Sequence, residues 1–456
     1  MIKKLNFKIL IILISIIIAS CYFLINLIIG NDKFRDLKLL LNNEQKQLIK
    51  EYIFPYRVIS KQRQLLSQKQ EFMPGLELIK KESGSEIQIK ESSIKLSNNE
   101  TLKKYKLTSG FYAGIAIGFP GSGYIDFYED NIIILSARGI LAFRKSLDDD
   151  KENFKQIKNN INKFIDINQF KKSQKFSVKD LLILNEKIYV SYTEEIKEDC
   201  WNTSVIYGDI NYKSISFKKL FSPKECVHSN KNSDNEFNGL QSGGKIISFD
   251  INHILLSTGD YRSRNLAQDK KSVNGKIIKI NIKNNEYEII SMGHRNPQGL
   301  YFDKENNIIF ETEHGPKGGD EINLIEIAKI NKDKIQNYGW PISSAGEHYG
   351  IKEKNKKKYE KYPLYNSHSE HGFIEPLNSF VPSIGISEIE KIGQNKYVVG
   401  SMRDKSLYFF ELNKEREIIN LDRVEIFERV RDLRFDNNKL YIFMENTASI
   451  GVINFN

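Results

Sequence analysis

Between Gly293 and Asn323 the chain reads GHRNPQGLYFDKENNIIFETEHGPKGGDEIN. Arg295, Asn296 and Gln298 flank Pro297, so a guanidinium, two carboxamides and a rigid turn fall within four residues. A guanidinium grips carboxylates through paired hydrogen bonds, and carboxamides read carbonyl oxygens or ring nitrogens. The set suits a flat anionic ligand; in a plain polar turn the same side chains would bond their own backbone. His314-Gly-Pro-Lys-Gly-Gly-Asp-Glu321 follows as a glycine-rich loop next to acids. Outward carbonyls and carboxylates are ligands for hard cations such as Ca²⁺. Asn337-Tyr338-Gly339-Trp340-Pro341 adds aromatic packing and a tight turn.

The elements that must position these groups are short. From about residue 106, runs of four to seven apolar, β-branched and aromatic residues recur between Asn, Asp, Gly and Lys clusters. Gly123–Tyr128, Lys187–Tyr192, His253–Thr258, Tyr397–Ser401 and Lys439–Phe443 are examples. The pattern predicts an all-β protein of many hairpins. Residues 106–456 are too long for an ordinary sandwich, and at roughly 50–60 residues per blade they fit a six-bladed β-propeller. Two consecutive sandwiches are the alternative. Residues 31–73 carry helical spacing, with Leu37, Leu40, Leu41, Leu48, Tyr52 and Ile53 among Lys, Glu and Gln, and Pro55 and Pro74 interrupt it. Residues 31–105 are therefore expected to form a short helical stalk and linker, with a short hairpin as the other reading of 76–105.

Lys3, Lys4 and Lys8 precede an apolar run from Ile9 to Ile29. Its length, about 20 residues, spans a bilayer as a helix, and the positive flank keeps the N-terminus in the cytoplasm. Residues 1–30 are thus expected to be a transmembrane anchor in the inner membrane of a bacterial envelope, with the remaining chain in the periplasm. Ile18-Ala-Ser-Cys21 resembles a lipoprotein signal, in which Cys21 would be acylated. Cys200 and Cys226 suit an oxidising compartment, as a disulfide or as two buried thiols. The net charge is +10, but the 68 Lys+Arg and 58 Asp+Glu are interspersed, so no nucleic-acid face is expected.

The string GHRNPQGL…TEHGPKGGDEINLIE…NYGWP resembles the soluble quinoprotein glucose dehydrogenase and aldose sugar dehydrogenase family, the glucose/sorbosone dehydrogenases. The likeness is specific over Gly293–Pro341 and looser through residues 399–407 and 427–443. The resemblance implies a six-bladed propeller that binds pyrroloquinoline quinone (PQQ) beside Ca²⁺ and oxidises aldose sugars. It places Arg295, Asn296, Gln298, Ser383, Arg403, Arg429 and Arg431 at the cofactor. It assigns the carbonyls of Gly315 and Pro316 to the cofactor Ca²⁺, and Glu321 and Tyr338 to a structural Ca²⁺. Arg429 and Arg431 alternate on a strand, which would turn both towards the ligand.

Two features depart from the family pattern. The catalytic histidine slot holds Gln241, within Leu240-Gln-Ser-Gly-Gly-Lys245, and an amide is no general base near neutral pH. The substrate-contact stretch is Val178-Lys-Asp-Leu-Leu182, which lacks the family glutamine. His228, His253, His294 and His314 are the other histidines considered for a base, and His368 with His371 reads as a loop pair. Two functions remain open at this level. One is a membrane-anchored dehydrogenase passing electrons from a sugar to a respiratory acceptor. The other is a non-catalytic propeller that binds PQQ, a sugar or an envelope partner.

Overall fold

Thr101–Leu107 pairs antiparallel with Ser449–Asn454, so the first long strands and the last strand share one sheet. This is how the fold closes. The computed structural model describes residues 86–107, 122–147, 152–173, 175–331, 333–350 and 356–455, together with Ser20. The expected anchor over residues 1–30, with Cys21, and the helical stretch over 31–73 lie outside the described residues. Among the described residues no helix is long and apolar enough to cross a membrane. The chain divides into two compact units, Met1–Ser67 with Tyr349–Tyr359, and Gln68–His348 with Glu360–Asn456. All strands among the described residues belong to the second.

Six sheets follow one another in that unit, each a four-stranded antiparallel blade, most with an added edge strand. Their inner strands are Gly123–Tyr128, Val178–Leu184, Gly243–Asp250, Pro297–Asp303, Ile386–Gly393 and Val430–Asp436. Each inner strand neighbours the next, and the last neighbours the first. The expected six-bladed β-propeller is therefore observed, and two sandwiches are not. The hairpins obey local chemistry. Asn185-Glu186 and Asn437-Asn438 each have φ between 48° and 58°, the left-handed pair a two-residue hairpin needs and that asparagine tolerates.

Strand structure begins before residue 106. Ile89–Lys95 and Thr101–Leu107 form a hairpin that completes the sixth blade, and Glu86–Ile87 edges the first. The polar texture of this hairpin reflects its exposed outer strand. Its inward residues Leu102, Tyr105 and Leu107 are buried against neighbours such as Ile450 and Leu440. Between successive blades, side chains from both faces interdigitate; Leu182, Val205, Ile246 and Ile278 form one such layer.

The channel is plugged. Lys245 Nζ lies 3.1 Å from Asp180 Oδ2 and 3.1 Å from Asp432 Oδ1, and also pairs with Glu388. Arg434 continues the plug, 3.2 Å from Asp432 and 3.7 Å from Glu390. These groups come from four inner strands. Carboxylates also stitch the blades: Asp432 Oδ2 accepts from Ile125 N (2.7 Å) and Asp180 Oδ2 from Ile246 N (2.8 Å). Pairing and backbone donors together offset the large cost of burying these charges.

Candidate functional site

The inner strands all start at one end of the ring, and Gln241, Arg295, Asn296, Gln298, Ser383, Arg429 and Arg431 sit at or just before such starts. Gln298 opens the fourth inner strand and Arg431 the sixth; Arg431 Nη1 donates to Gln298 Oε1 at 3.4 Å. Asn296 is buried behind them. Its Oδ1 accepts from Gln298 Nε2 (3.2 Å) and from Gly243 N (3.2 Å), so it orients Gln298 and ties the third blade to the fourth. Arg429 and Arg431 do share a face, and both reach Glu445. Arg429 Nε donates to Oε2 at 2.8 Å and Arg431 Nη2 to Oε1 at 2.7 Å. Two guanidiniums on one carboxylate leave a net positive charge. Burial would raise the Glu445 carboxyl, but Arg431 and Arg429 outweigh it and hold it below its ordinary value.

Ser383 and Arg403 stand beside this group. They line a cleft of about 510 Å³ with Pro382, Ile384 and Tyr408, and Arg403 is exposed. Arg429 Nη1 donates to Met402 O (3.1 Å), which brings the two arginine segments together. The Ser383 hydroxyl is bonded to buried Asp320, whose carboxylate also accepts from Gly315 N (3.1 Å) and Gly385 N (2.6 Å). Asp320 thus fixes the glycine loop against the fifth blade. Gly315 itself has no room for a side chain, since a Cβ would lie 2.0 Å from Gly319 O.

Arg295 lies against the glycine loop. Its Nη1 donates to His314 O (2.7 Å) and Gly315 O (2.6 Å), and its guanidinium lies over the Trp340 ring. Gln241 holds the other side of it. The pattern of donors orients the amide so that Nε2 donates to Asp260 Oδ1 (3.0 Å), while Oε1 accepts from Arg295 Nη2 (2.8 Å) and Arg262 Nε (3.2 Å). Gln241 is therefore a buried structural bridge in this structure.

The donor set decides which groups fit. The arginines at Glu445, exposed Arg403 and the Gln298 amide match a planar polycarboxylate such as PQQ. The expected Ca²⁺ position at the Gly315 carbonyl does not fit as it stands. Gly315 O already receives the Arg295 guanidinium, and a second cation there would be repelled. His368 stands between Glu321 and Tyr338, its Nδ1 3.0 Å from Tyr338 O and its Nε2 3.6 Å from Glu321 Oε1. Burial would lower the His368 imidazole, but Glu321 outweighs it and raises it above its ordinary value. His368 is thus a buried partner of Glu321, and the loop pair with His371 is not formed. His371 instead stacks on Tyr365 with centroids 3.7 Å apart.

The other histidines separate by surroundings. His228 ends a two-residue strand, and His253 Nδ1 is 2.9 Å from Asp250. His314 lies close to Arg295 and Arg431. Burial first, then these two cations, lowers it below its ordinary value despite Asp320. Its Nε2 is buried with no hydrogen-bond partner. Lys179, on the second inner strand, is brought down to about 7 by burial and by Arg431 and Arg138, with Glu445 opposing. Sequence reasoning did not find Lys179 or Glu445. Glu445 comes from a turn after the second strand of the sixth blade, and no motif marked it.

Residues 182–451 match the Glucose / Sorbosone dehydrogenase family. An uncharacterized protein of Synechocystis is 31% identical over 196 residues, which cover 39% of this chain and 43% of that protein. Aldose sugar dehydrogenase YliI of Escherichia coli is 25% identical over 293 residues, covering 58% of this chain and 71% of YliI. The chain thus spans less than half the length of the first of these relatives. The fold resembles the PQQ-bound form of aldose sugar dehydrogenase from Streptomyces coelicolor, with TM-score 0.51 and 16% identity over 77% of this chain and 98% of that one.

Proposed function

Since the chain belongs to the Glucose / Sorbosone dehydrogenase family, we propose that it binds PQQ at the arginine mouth and oxidises an aldose sugar. The observation that carries this reading is the convergence of Arg429 and Arg431 on Glu445, beside Arg403 and Gln298. Arg403, Arg429 and Arg431 would pair with the carboxylates of the quinone, and Gln298 would meet its ring edge. When bound, PQQ supplies the hydride acceptor. The ion cluster at Lys245 stands between the inner strands beneath this group.

Gln241 is no proton acceptor and is occupied by Asp260 and Arg295. In this reading His314 Nε2, the unpartnered nitrogen next to the arginines, would take the C1 hydroxyl proton, bound PQQ would supply the hydride acceptor, and the sugar would become a lactone. The Cys200–Cys226 disulfide supports placement in an oxidising compartment. Together with the apolar run at residues 9–29 it supports an inner-membrane anchor, a periplasmic propeller and a respiratory electron acceptor. The locked Gln241 amide favours a second reading, a propeller that binds PQQ without turnover.

Titrating the purified full chain with PQQ while following the quinone absorbance tests the first claim. Saturable stoichiometric binding is expected, and no binding sinks both readings. Dye reduction with a panel of aldoses by the PQQ-loaded protein then separates them.

A further inference from the structure

Beside the arginine mouth lies a second, fully buried polar cluster that the proposed chemistry does not use. Glu311 and Glu313 alternate on one strand of the fourth blade, and their cross-strand partners are Asn323 and Glu321. Three carboxylates therefore crowd one buried face. Direct like-charge neighbours destabilise a sheet unless something compensates. Among the described residues no lysine or arginine side chain pairs with Glu311 or Glu313. The Asn323 amide donates to Glu311 Oε2 (3.0 Å) and Glu313 Oε1 (3.3 Å). Glu311 Oε1 and Asn323 Oδ1 have no hydrogen-bond partner at all, although both residues are completely buried. Buried acceptors are rarely left so, because each loses its hydration without a replacement bond.

The remaining wall is His294. Its Nδ1 is 3.3 Å from Glu313 Oε1 and 3.6 Å from Glu311 Oε2. Its Nε2 is 2.8 Å from Ser291 Oγ, and the ring stacks on Tyr338. Ligands about 2.1 Å from a four-coordinate ion lie roughly 3.4 Å from one another, which is the spacing here. A metal-bound histidine also needs its second nitrogen held by an acceptor, as Ser291 holds this one.

We propose that His294 Nδ1, Glu311 and Glu313 form a buried divalent-cation site. One nitrogen and two carboxylates suit a borderline first-row ion such as Zn²⁺ rather than Ca²⁺. The site is distinct from the Glu321–Tyr338 pair, which His368 bridges. Its position gives it a purpose. The free oxygen of Glu313 accepts from the backbone N–H groups of Arg295 and Asn296. A cation on Glu313 would therefore fix the segment that carries the anion-binding residues.

The test needs no quinone, so it stands or falls apart from the dehydrogenase reading. Purified full-length chain should hold about one Zn²⁺ per molecule by elemental analysis. After chelator stripping, Co²⁺ should give visible d–d bands that Zn²⁺ abolishes and excess Ca²⁺ does not. Glu311→Gln keeps the shape but removes the charge, and should weaken Co²⁺ binding at least about tenfold. Stripped wild type that shows neither cobalt bands nor a Zn²⁺-dependent rise in Tm overturns the proposal. Equal Co²⁺ affinity in wild type and Glu311→Gln overturns it too. If Glu311→Gln does not fold, the wild-type metal content and cobalt spectrum decide.

Discussion

Arg429 and Arg431 each hold one oxygen of Glu445, at 2.8 and 2.7 Å. The carboxylate sets both guanidiniums at the channel mouth without cancelling their charge. Arg431→Met should lower PQQ affinity about 10- to 100-fold, the worth of one charge-assisted pair. It should also cost about 3 kcal/mol of stability, because buried Glu445 keeps only Arg429. Absorbance titration and denaturant unfolding of the same variant read the two effects. An unchanged affinity would remove Arg431 from the binding site.

Gln241 and His314 are separated by a paired measurement. Gln241→Ala loses the bonds to Asp260, Arg262 and Arg295 but no proton acceptor, so steady-state sugar oxidation should change by less than about tenfold. His314→Gln should lower kcat by about 10²–10⁴ with PQQ binding retained. The reverse ranking would mean that Gln241, not His314, faces the sugar.

The plug predicts a pH dependence. Burial, partly countered by Arg434, raises Asp126 to about 6 and Glu390 to about 7. The folded state keeps protons that the unfolded chain releases above the ordinary carboxylate range. The stabilisation is full below about pH 4 and is lost as pH rises through 6 and 7. Tm should fall from pH 5 to pH 8, with the plug's Glu388, pushed up to about 8, adding to the slope, and Glu390→Gln should remove part of it, up to about 3 kcal/mol. A slope unchanged in Glu390→Gln would place the titration elsewhere.

Local pattern and site position were readable in the sequence to different depths. Hairpin runs such as Lys439–Phe443 and turns such as Asn437-Asn438 carry their own signals, because strand alternation and left-handed φ are local requirements. Arg295, Asn296 and Gln298 stood out for the same reason. The closing hairpin did not, since its assignment rests on pairing with a strand more than 300 residues away. Nor did the partners that reset each role. Arg295 on Gly315 O, His368 between Glu321 and Tyr338, and Glu445 under two arginines are contacts made across turns and strands, 14 to 30 residues or more apart, that no local pattern marks. Glu311 and Glu313 did show a trace, an i, i+2 acidic pair inside an apolar strand.

Cys200 and Cys226 are joined across a separation of 26 residues. The bond ties the start of the third strand of the second blade to the segment leading into the loop that carries Gln241. Closing a loop of that size should contribute roughly 3–4 kcal/mol, chiefly by restricting the unfolded chain. The Cys200→Ser, Cys226→Ser double variant should melt lower in the absence of any reductant, and dithiothreitol should lower the wild type but not the variant. A reductant effect of equal size in both would show that the bond does not matter to stability.

The hairpin of Ile89–Lys95 and Thr101–Leu107 makes the last prediction. Without it, Ser449–Asn454 becomes an open sheet edge, and Leu102, Tyr105 and Leu107 no longer cover the apolar layer around Ile450. Burial of three such side chains is worth roughly 5–8 kcal/mol, about the whole stability of a typical domain. An exposed edge also recruits other chains. A chain beginning at residue 108 should therefore aggregate or lack a cooperative melt, whereas one beginning at residue 86 should elute as a folded species with a single transition. Size-exclusion chromatography and circular dichroism read both. Cooperative folding of the chain from residue 108, with PQQ binding intact, would show that the ring closes without its N-terminal strands.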